Sequence, residues 1–369
     1  MSAFGIYVHV PFCSALCPYC DFAVVVGRKD VHKRYCEALL AEAASHVGAP
    51  AASSLFIGGG TPTVLDPELL RGTVDRIREL LPLGDGAEIT VEANPESVTD
   101  AGVRTLVAVG VNRVSIGAQS FTPHVLLALG RAHSVEQAAN AVASARAAGI
   151  ENMSLDLIYG GPGESMQDWT DSLARALEME PDHISAYALT IEERTPFGKA
   201  VARGSMQEPE QDDLAAKYEI AAEMLDGAGL HHYEISNWAR PGFESRHNLL
   251  YWTQGEYLGL GIGAHSHRNG VRWWNTRALT RYLTDPANAR DGEERLSDGD
   301  RAEEWLLLRM RLVDGVALAE AAAHLGRDVR DAAEACEASG LVTLDDDRLC
   351  LTPRGMLLEN EVTLRLLSA

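Results

Sequence analysis

Three closely spaced cysteines constrain this chain more than any other feature of its sequence. Cys13, Cys17 and Cys20 lie in the stretch YVHVPFCSALCPYCDF, residues 7–22, with the spacing C-x3-C-x2-C. Three thiolates at this spacing can hold three irons of a [4Fe–4S] cluster and leave the fourth iron open to a substrate or cofactor. Zinc also binds closely spaced cysteines, but its structural sites are closed by a fourth Cys or His. The spacing therefore favours a cluster and leaves zinc as the alternative, since three cysteines cannot all pair with one another as disulfides.

Beyond the cysteines, short apolar runs alternate with helical stretches through the first half of the chain. The apolar runs predict strands over residues 4–10, 54–57, 88–93, 113–118, 152–158 and 183–189. Helices are predicted between them, over residues 30–47, 66–81, 125–129, 135–147 and 166–179. This order is typical of a parallel sheet covered by helices. Six such units predict an α/β fold, a partial TIM-like (β/α)6 barrel rather than a closed eight-fold one.

Polar residues and glycines occur where several predicted strands end, which is where parallel α/β folds bind ligands. They are Gly59, Gly60 and Thr61 after the second strand, Glu92 at the end of the third, Gln119 at the end of the fourth, Arg131 after a short helix, and Asp156 within the fifth. Glycines admit a ligand close to the backbone, and a carboxylate in an apolar run needs donors or a cation. An arginine can bind a carboxylate through two hydrogen bonds. A tight turn and ion pairs at the barrel rim would use the same residue types, so the pattern alone leaves both interpretations open.

The second half of the chain has a different pattern. A helix is predicted over residues 212–225, a strand over 232–237, a glycine-rich loop over 258–267 and a polar linker over 285–299. Helices over 302–311, 318–325 and 329–339, strands over 341–344 and 348–351, and a helix over 354–366 predict a small α+β, winged-helix-like domain. We therefore expect a barrel over residues 1–240, a connecting region over 241–299 and a C-terminal domain over 300–369.

The chain is strongly acidic, with a formal net charge of −21 and a sequence pI of about 4.9. Such a surface repels phosphate backbones, which argues against nucleic-acid binding even for a winged-helix-like domain. The sequence shows no basic-plus-apolar signal segment and no apolar run long enough to span a membrane. Six cysteines without a paired framework fit a reducing compartment, so we expect a cytoplasmic protein. Cys36, Cys336 and Cys350 are expected to be small buried hydrophobic residues.

The cysteine motif directly follows the first predicted strand and has the aromatic Tyr19 before its last cysteine; it resembles the signature of the radical SAM superfamily. The spacing of the polar residues from Glu92 to Asp156 is similar to that in the oxygen-independent coproporphyrinogen III oxidases and their relatives. This resemblance implies a [4Fe–4S] cluster on the three cysteines, with S-adenosylmethionine (SAM) bound to the open iron. It further implies that the amino-acid end of SAM contacts Gly59, Gly60, Thr61 and Glu92, and that its carboxylate contacts Arg131. The ribose would contact Gln119 and Asp156, and Tyr7 and Tyr19 would pack against the cofactor.

Residues 247–252 match the His-Asn-x-x-Tyr-Trp motif of the heme chaperones in this group, the HemW-type proteins. Histidine can ligate heme iron and aromatic rings can cover a porphyrin face, so the motif implies heme contacts from His247, Asn248, Tyr251 and Trp252. His265 and His267, and also His231 and His232, are alternative ligands. A helix that these residues cap and pack against the barrel is the simpler alternative, and a lone histidine more often has such a packing role.

Two features separate the heme chaperones from the oxidases of the same group. The oxidases have a further cysteine where this sequence has Phe22, and an N-terminal arm that we expect to be absent here because Cys13 comes so early. The resemblance therefore implies a chaperone that binds heme as cargo, delivers it to apo-hemoproteins of the respiratory chain, including membrane-bound cytochromes, and uses an electron donor for its cluster. The alternative is an oxidase that decarboxylates coproporphyrinogen III through a 5′-deoxyadenosyl radical, and a radical SAM enzyme with another substrate is a third interpretation. The sequence leaves open whether SAM is cleaved.

Overall fold

The computed structural model of the protein describes residues 3–368. Its strands are β1 (Phe4–Val10), β2 (Phe12–Cys13), β3 (Val25–Val26), β4 (Ala52–Gly59), β5 (Leu83–Ala93), β6 (Arg113–Gln119), β7 (Asn152–Tyr159), β8 (His183–Ala188), β9 (His231–Glu234), β10 (Asn237–Ala239), β11 (Glu256–Leu260), β12 (His265–Arg268), β13 (Val271–Asn275), β14 (Arg290–Arg295), β15 (Val316–Ala317), β16 (Val342–Asp345) and β17 (Arg348–Leu351). Its α-helices are α1 (His32–Ser45), α2 (Pro67–Leu80), α3 (Asp100–Ala108), α4 (Pro123–Ala128), α5 (Val135–Ala147), α6 (Met166–Glu178), α7 (Pro196–Ala202), α8 (Gln211–Gly227), α9 (Arg246–Trp252), α10 (Leu279–Thr284), α11 (Asp298–Arg309), α12 (Leu318–Leu325), α13 (Arg330–Ala338), α14 (Pro353–Leu357) and α15 (Glu359–Leu367). None of the helices within residues 3–368 is long and apolar enough to cross a membrane.

Twelve strands form one sheet, in the order β14-β13-β12-β11-β1-β4-β5-β6-β7-β8-β10-β9. The central strands, from β11 to β8, are all parallel, and antiparallel strands extend the sheet at both edges. The register places Ile6 of β1 between Leu258 of β11 and Leu55 of β4. All six predicted parallel strands are present, and the predicted partial α/β barrel is confirmed.

The main core lies between the sheet and the helices that connect its strands. Six of the seven residues of β1 are buried, as expected of a parallel strand that is covered on both faces. Helix α2 begins where the Asp66 side chain accepts hydrogen bonds from the backbone N–H groups of Glu68 and Leu69. Because such caps satisfy N–H groups that the helix itself leaves free, they fix where the helix begins and help to position the strand end before it.

Two expectations for the second half of the chain were wrong. The predicted glycine-rich loop over 258–267 contains three of the five residues of β11 and three of the four residues of β12, and the predicted linker over 285–299 contains β14 and the first two residues of α11. Glycine favours a turn in isolation, but β11 pairs in parallel with β1 over all five of its residues, which gives its backbone groups hydrogen-bond partners. Gly259 is needed there for close packing, because a side chain at this position would overlap the backbone carbonyl of His265.

The end of the chain forms a small α+β module, as predicted. Strands β15, β17 and β16 make a separate three-stranded sheet, and helices from α11 to α15 surround it. A separate hydrophobic cluster, which includes Trp305, Leu349 and Leu366, holds this module together. Strands β11 to β14 of the predicted connecting region belong to the main sheet, so this region is structurally continuous with the barrel. The proposed division of the chain into three domains stays a prediction.

Candidate functional site

A cavity of about 610 Å³ opens at the carboxyl ends of the parallel strands; we call it the first cavity. The chain leaves β1 at Val10 and turns into the cysteine loop, so the loop covers these strand ends. The first cavity brings together nearly all predicted cluster and SAM residues, namely Cys13, Cys17, Tyr19, Cys20, Gly59, Gly60, Thr61, Glu92, Gln119, Arg131 and Asp156. Tyr7 is the exception, because it lines a different cavity. The predicted grouping of strand ends therefore produces a single site.

Two polar side chains contact the cysteine sulfurs. The Thr61 hydroxyl donates to Cys13 Sγ at 3.6 Å, and the Arg131 guanidinium donates to Cys17 Sγ at 3.3 Å. Burial raises the pKa of the Cys13 thiol to about 11 despite the Thr61 hydrogen bond. A thiolate at Cys13 would therefore need a positive partner, which bound iron supplies. No three His, Cys, Asp or Glu side chains within residues 3–368 are placed to hold a single metal ion.

The glycine run after β4 packs against the end of β1. Gly59 has a φ of 102°, and a side chain there would overlap the ring of His9. A side chain at Gly60 would come within 2.6 Å of the Pro11 backbone carbon. The Gly59 N–H donates to a carboxylate oxygen of Glu92 at 2.8 Å. The glycines thus have a packing role as well as lining the cavity, and they hold Glu92 in position.

The carboxylate of Glu92 titrates far from its usual range. Burial raises its pKa to about 7, opposed by the Gly59 hydrogen bond and increased further by Asp156. Near neutral pH this carboxyl is therefore balanced between its neutral and charged forms. A cation placed beside it would favour the charged form.

Asp156 accepts hydrogen bonds from three serine hydroxyls on three adjacent parallel strands. Ser115 of β6 and Ser185 of β8 each donate at 2.9 Å, and Ser154 of β7 donates at 3.2 Å. These donors meet the requirement that the sequence predicts for a buried carboxylate, although they come from serines and not from an arginine or a ligand. Burial still raises the pKa of Asp156 above its usual value, against the effect of these bonds.

Arg131 is held against the cysteine loop. Its guanidinium donates to the Asn94 side chain at 2.7 Å and to the Gly117 carbonyl at 3.1 Å, besides its contact with Cys17. Gln119, at the end of β6, has a φ of 64°, an uncommon conformation for a residue other than glycine. Such backbone strain is often found at ligand sites, and here it lies on the wall of the first cavity.

A second cavity of about 720 Å³ lies beside the first, on the side of β11 and β12. Asp21 and Phe22, directly after the last cysteine, line both cavities and so form part of the wall between them. Helix α11 of the C-terminal module contributes Leu307 and Leu308 to the second cavity. Aromatic side chains from four elements also line it: Tyr7, Tyr251, Trp252, Tyr257 and Trp274.

The predicted heme residues are divided among three places. Asn248 lines the first cavity, whereas Tyr251 and Trp252 line the second. His247 is only 1% exposed and lines neither. Its Nδ1 atom is hydrogen-bonded to Ser54 at 2.8 Å and its Nε2 atom to Tyr251 at 2.8 Å, and burial lowers its pKa to about 3. Both ring nitrogens of His247 therefore have partners within the protein, and its predicted heme contact stays a prediction.

The alternative histidines also differ in position. His265 and His267 line the second cavity. His231 and His232 lie on β9 at the opposite edge of the sheet, where His232 stacks on Trp238 at 4.3 Å between ring centroids. Only the first pair is placed to meet a ligand in either cavity.

Comparisons with known proteins place this chain in a family. Residues 7–176 match the radical SAM superfamily, and residues 296–358 match the HemN C-terminal domain. A protein named heme chaperone HemW from Mycobacterium tuberculosis is 42% identical over 99% of this chain and 95% of its own length. The chain belongs to the HemW family of the radical SAM superfamily. Proteins of the same name from Bacillus subtilis and Escherichia coli are 36% and 35% identical, over 96% and 97% of this chain and 97% and 96% of their own lengths.

A solved structure confirms the fold of this HemW-family chain. It is similar to coproporphyrinogen III oxidase (HemN) from Escherichia coli, described as a radical SAM enzyme, with a TM-score of 0.85 and 23% identity. The match covers 99% of this chain and 90% of the oxidase. The barrel and the C-terminal module therefore both belong to a known architecture. Membership of the radical SAM superfamily implies a [4Fe–4S] cluster and SAM, and the residues of the first cavity suit both groups because they combine thiols, carboxylates and an arginine.

The sequence did not reveal several residues that the structure brings to these sites. Asn94 holds Arg131, and the largely buried Arg113 lines the first cavity, where its positive charge opposes the upward pKa shifts of Glu92 and Asp156. Asn94 directly follows a predicted strand and could have been found by the same rule as Glu92. Arg113 is the first residue of β6, so a search for polar residues at the carboxyl ends of strands does not find it.

Proposed function

We propose that this protein is a heme chaperone: it binds heme and delivers it to apo-hemoproteins such as respiratory cytochromes. One observation carries the proposal, the 42% identity over 99% of the chain to a protein named heme chaperone HemW. Similar proteins of that name from two further bacteria extend over nearly the whole chain as well. The second cavity supports the proposal, because its aromatic lining suits a flat, largely apolar ligand.

In this proposal the first cavity holds the resident cofactors. Cys13, Cys17 and Cys20 would be the cluster ligands, with Thr61 and Arg131 donating to two of their sulfurs. When bound, the cluster supplies an open iron for the amino-acid end of SAM and a place to store an electron. Glu92 and Arg131 would orient that end through opposite charges.

The residues proposed to contact the ribose of SAM lie on β6 and β7. Asp156 would accept hydrogen bonds from ribose hydroxyls, in a position that its three serine partners already fix. Gln119 lies beside it on the cavity wall, and Tyr19 would pack against the cofactor near the cluster. An external electron donor and the recipient hemoprotein are further partners of this proposal.

The oxidase alternative has the same fold, so the fold does not decide between the two functions. The difference lies at Phe22, the position where the resemblance implies a further cysteine in the oxidases. Phe22 is 69% exposed, and it lines both cavities. A large apolar ring there extends the aromatic lining of the second cavity, which favours a binding role.

The test uses the full-length protein, reconstituted with iron and sulfide without oxygen. It is titrated with heme, and separately incubated with coproporphyrinogen III, SAM and a reductant. We expect a saturable heme spectrum and no protoporphyrinogen. Multiple-turnover conversion of coproporphyrinogen would contradict the chaperone proposal, and so would the absence of saturable heme binding.

A further inference from the structure

Arg113 is a largely buried cation that lines the first cavity. It is only 2% exposed and is the first residue of β6. Because side chains alternate between the two faces of a strand, Arg113 shares its face with Ser115, whose hydroxyl donates to Asp156. Parallel pairing aligns Arg113 with Thr90 of β5, two residues before Glu92. The register therefore places Arg113 on the face of the sheet that carries both buried carboxylates.

Arg113 differs from the other deeply buried cation of the first half of the chain. The ammonium group of Lys217 lies 3.3 Å from the Glu164 carboxylate and 2.7 Å from that of Asp213. Arg113 forms no such direct ion pair within residues 3–368. A guanidinium stays charged at any ordinary pH, so its desolvation must be offset by negative charge nearby. Arg113 therefore depends on a group of neighbours and not on one partner.

The groups that face Glu92 come from four elements. Burial raises the pKa of Glu92, Asp156 on β7 raises it further, and Arg113 on β6 opposes the rise. Tyr7 on β1 and Tyr251 on α9 also face this carboxyl, but burial raises the pKa of both phenols well above their usual value, so they stay neutral. Arg113 is thus the cation in this set that favours the ionised carboxylate.

The remaining titratable groups around Arg113 and Asp156 are neutral near neutral pH. Burial, and then the charge of Arg113, lowers the pKa of His183 and of His247. Both ring nitrogens of each histidine are hydrogen-bonded to hydroxyl groups. Burial raises the pKa of Tyr187 and of Tyr233 well above the usual value of a phenol. Among these described groups, Arg113 alone carries a lasting positive charge.

The charge of this interior group suits a cationic ligand. When both carboxylates are ionised, Glu92, Asp156 and Arg113 together leave one negative charge in excess. SAM carries a sulfonium cation, which joins its ribose to its amino-acid part, and Asp156 and Glu92 are the proposed contacts to these two parts. Without Arg113 the two buried carboxylates would disfavour each other's ionisation, and one of them would take up a proton more readily.

We propose that Arg113 is a positioning residue for SAM, whose buried positive charge stabilises the carboxylates of Glu92 and Asp156 that attract the cationic centre of the cofactor. This inference rests on the proposed function, in which the first cavity holds SAM. Arg113 acts through the two carboxylates, whereas Arg131 is the proposed direct contact to the carboxylate of SAM. Its effect should therefore depend on pH, because it changes how readily Glu92 is ionised.

The experiment compares Arg113→Met with Arg113→Lys and with a matched control, Arg146→Met. Methionine keeps an unbranched side chain without the charge, whereas lysine keeps the charge. Arg146 is a partly buried arginine that pairs with Asp182 at 2.8 Å and lines neither cavity. Each full-length protein is reconstituted with its cluster without oxygen, and cluster content is recorded as a check on folding. Isothermal titration with SAM then gives the affinity from about pH 6 to about pH 9, a range that spans the titration of Glu92.

For Arg113→Met we expect the rise of SAM affinity with pH to move upwards by about one pH unit. At about pH 7 the affinity should then fall roughly five-fold, because the charged fraction of Glu92 drops from about a half to about a tenth. Towards about pH 9 the affinity should return close to that of the wild type. Arg113→Lys and Arg146→Met should both keep the wild-type pH profile.

The outcomes separate this inference from the proposed function. If the wild type binds no SAM, the proposed use of the first cavity fails and this inference fails with it. If the wild type binds SAM and Arg113→Met leaves the pH profile in place, the inference alone is wrong. An equal loss of affinity at every pH would show a packing role and overturn it, and so would a shift in Arg113→Lys as large as in Arg113→Met. Should Arg113→Met lose its cluster, Arg113→Gln, a second neutral variant, is judged by the same criteria.

Discussion

The first cavity is lined by thiols, carboxylates and arginines, whereas aromatic side chains form much of the lining of the second cavity. In the first, Asp156 has three serine donors and Glu92 has the Gly59 N–H. In the second, the lining includes Tyr251, Trp252, Tyr257 and Trp274. The comparison indicates a polar site that suits the charged ends of a cofactor, next to a site that suits a flat, largely apolar ligand. That difference suits a resident cofactor on one side and a transferable cargo on the other.

The largest expected effect concerns the cluster. Cys17→Ala removes one of three proposed ligands together with the hydrogen bond from Arg131, so nearly all cluster iron and sulfide should be lost. Cys350→Ala, in the C-terminal module, is the control and should retain both. Iron and sulfide analysis after anaerobic reconstitution measures the effect. Heme binding should survive in both variants, and its loss together with the cluster would show that the two cavities are not independent.

Asp156→Asn should weaken SAM binding about ten- to a hundred-fold, because a charged, desolvated contact is worth roughly 1.5–3 kcal/mol. Asn keeps the shape of the side chain, so the cluster should remain. Asp171→Asn, on the exposed face of α6, is the matched control. Isothermal titration with SAM measures the change. An affinity equal to that of the wild type would remove Asp156 from the SAM site.

The pH dependence of SAM binding should depend on Glu92. Its pKa is raised to about 7 by burial, so the carboxyl is mostly neutral at about pH 6 and mostly charged at about pH 8. An ammonium group of SAM prefers the charged form, and affinity should therefore rise by up to roughly ten-fold over this range. Glu92→Gln should flatten most of that rise. A rise of the same size in the variant would assign it to another group.

The same shift has a consequence for stability. Because the pKa of Glu92 is raised in the folded state, its contribution favours folding at low pH and is lost as the pH rises from about 4.5 towards 7. Glu42, on α1, also has its pKa raised to about 7 by burial and adds a second contribution of the same sign. The binding experiment is therefore the more selective one for Glu92.

The smallest effect concerns the edge of the second cavity. Arg277 is exposed and lines the second cavity. Under the proposed function, Arg277→Gln should weaken heme binding by roughly 1.4- to five-fold, since an exposed ion pair with a heme propionate contributes about 0.2–1 kcal/mol. The loss should shrink at high salt, because salt screens exposed charges. Arg281→Gln, which breaks an ion pair with Asp291 outside both cavities, is the control. A salt-independent loss in Arg277→Gln would point to a role other than pairing with a propionate.

The sequence predicted the first cavity well because one physical rule covers it. Parallel strands end at the same edge of a sheet, so residues such as Glu92 and Gln119 had to meet there. Tyr7 lies in the middle of β1 and lines the second cavity, so this rule does not place it.

The second cavity could not be predicted in the same way. Its walls come from β1, α9, β11, β12, β13 and α11, which are far apart in the sequence. The glycines of residues 258–267 predict a loop, whereas part of this stretch belongs to β11, which pairs with β1. His267 Nδ1 lies 3.3 Å from the carbonyl oxygen of Gly255, just before β11, a contact that no sequence motif reports. His247, which lies in the recognisable motif, turned out to be fully bonded within the protein.

Simultaneous binding of both ligands tests the central claim most directly. Equilibrium dialysis of the cluster-loaded, full-length protein measures bound SAM while heme is added to saturation. Separate cavities predict one heme per chain with SAM still bound at close to its original affinity. Stoichiometric release of SAM as heme binds would show that the two ligands compete for one site and would contradict the account.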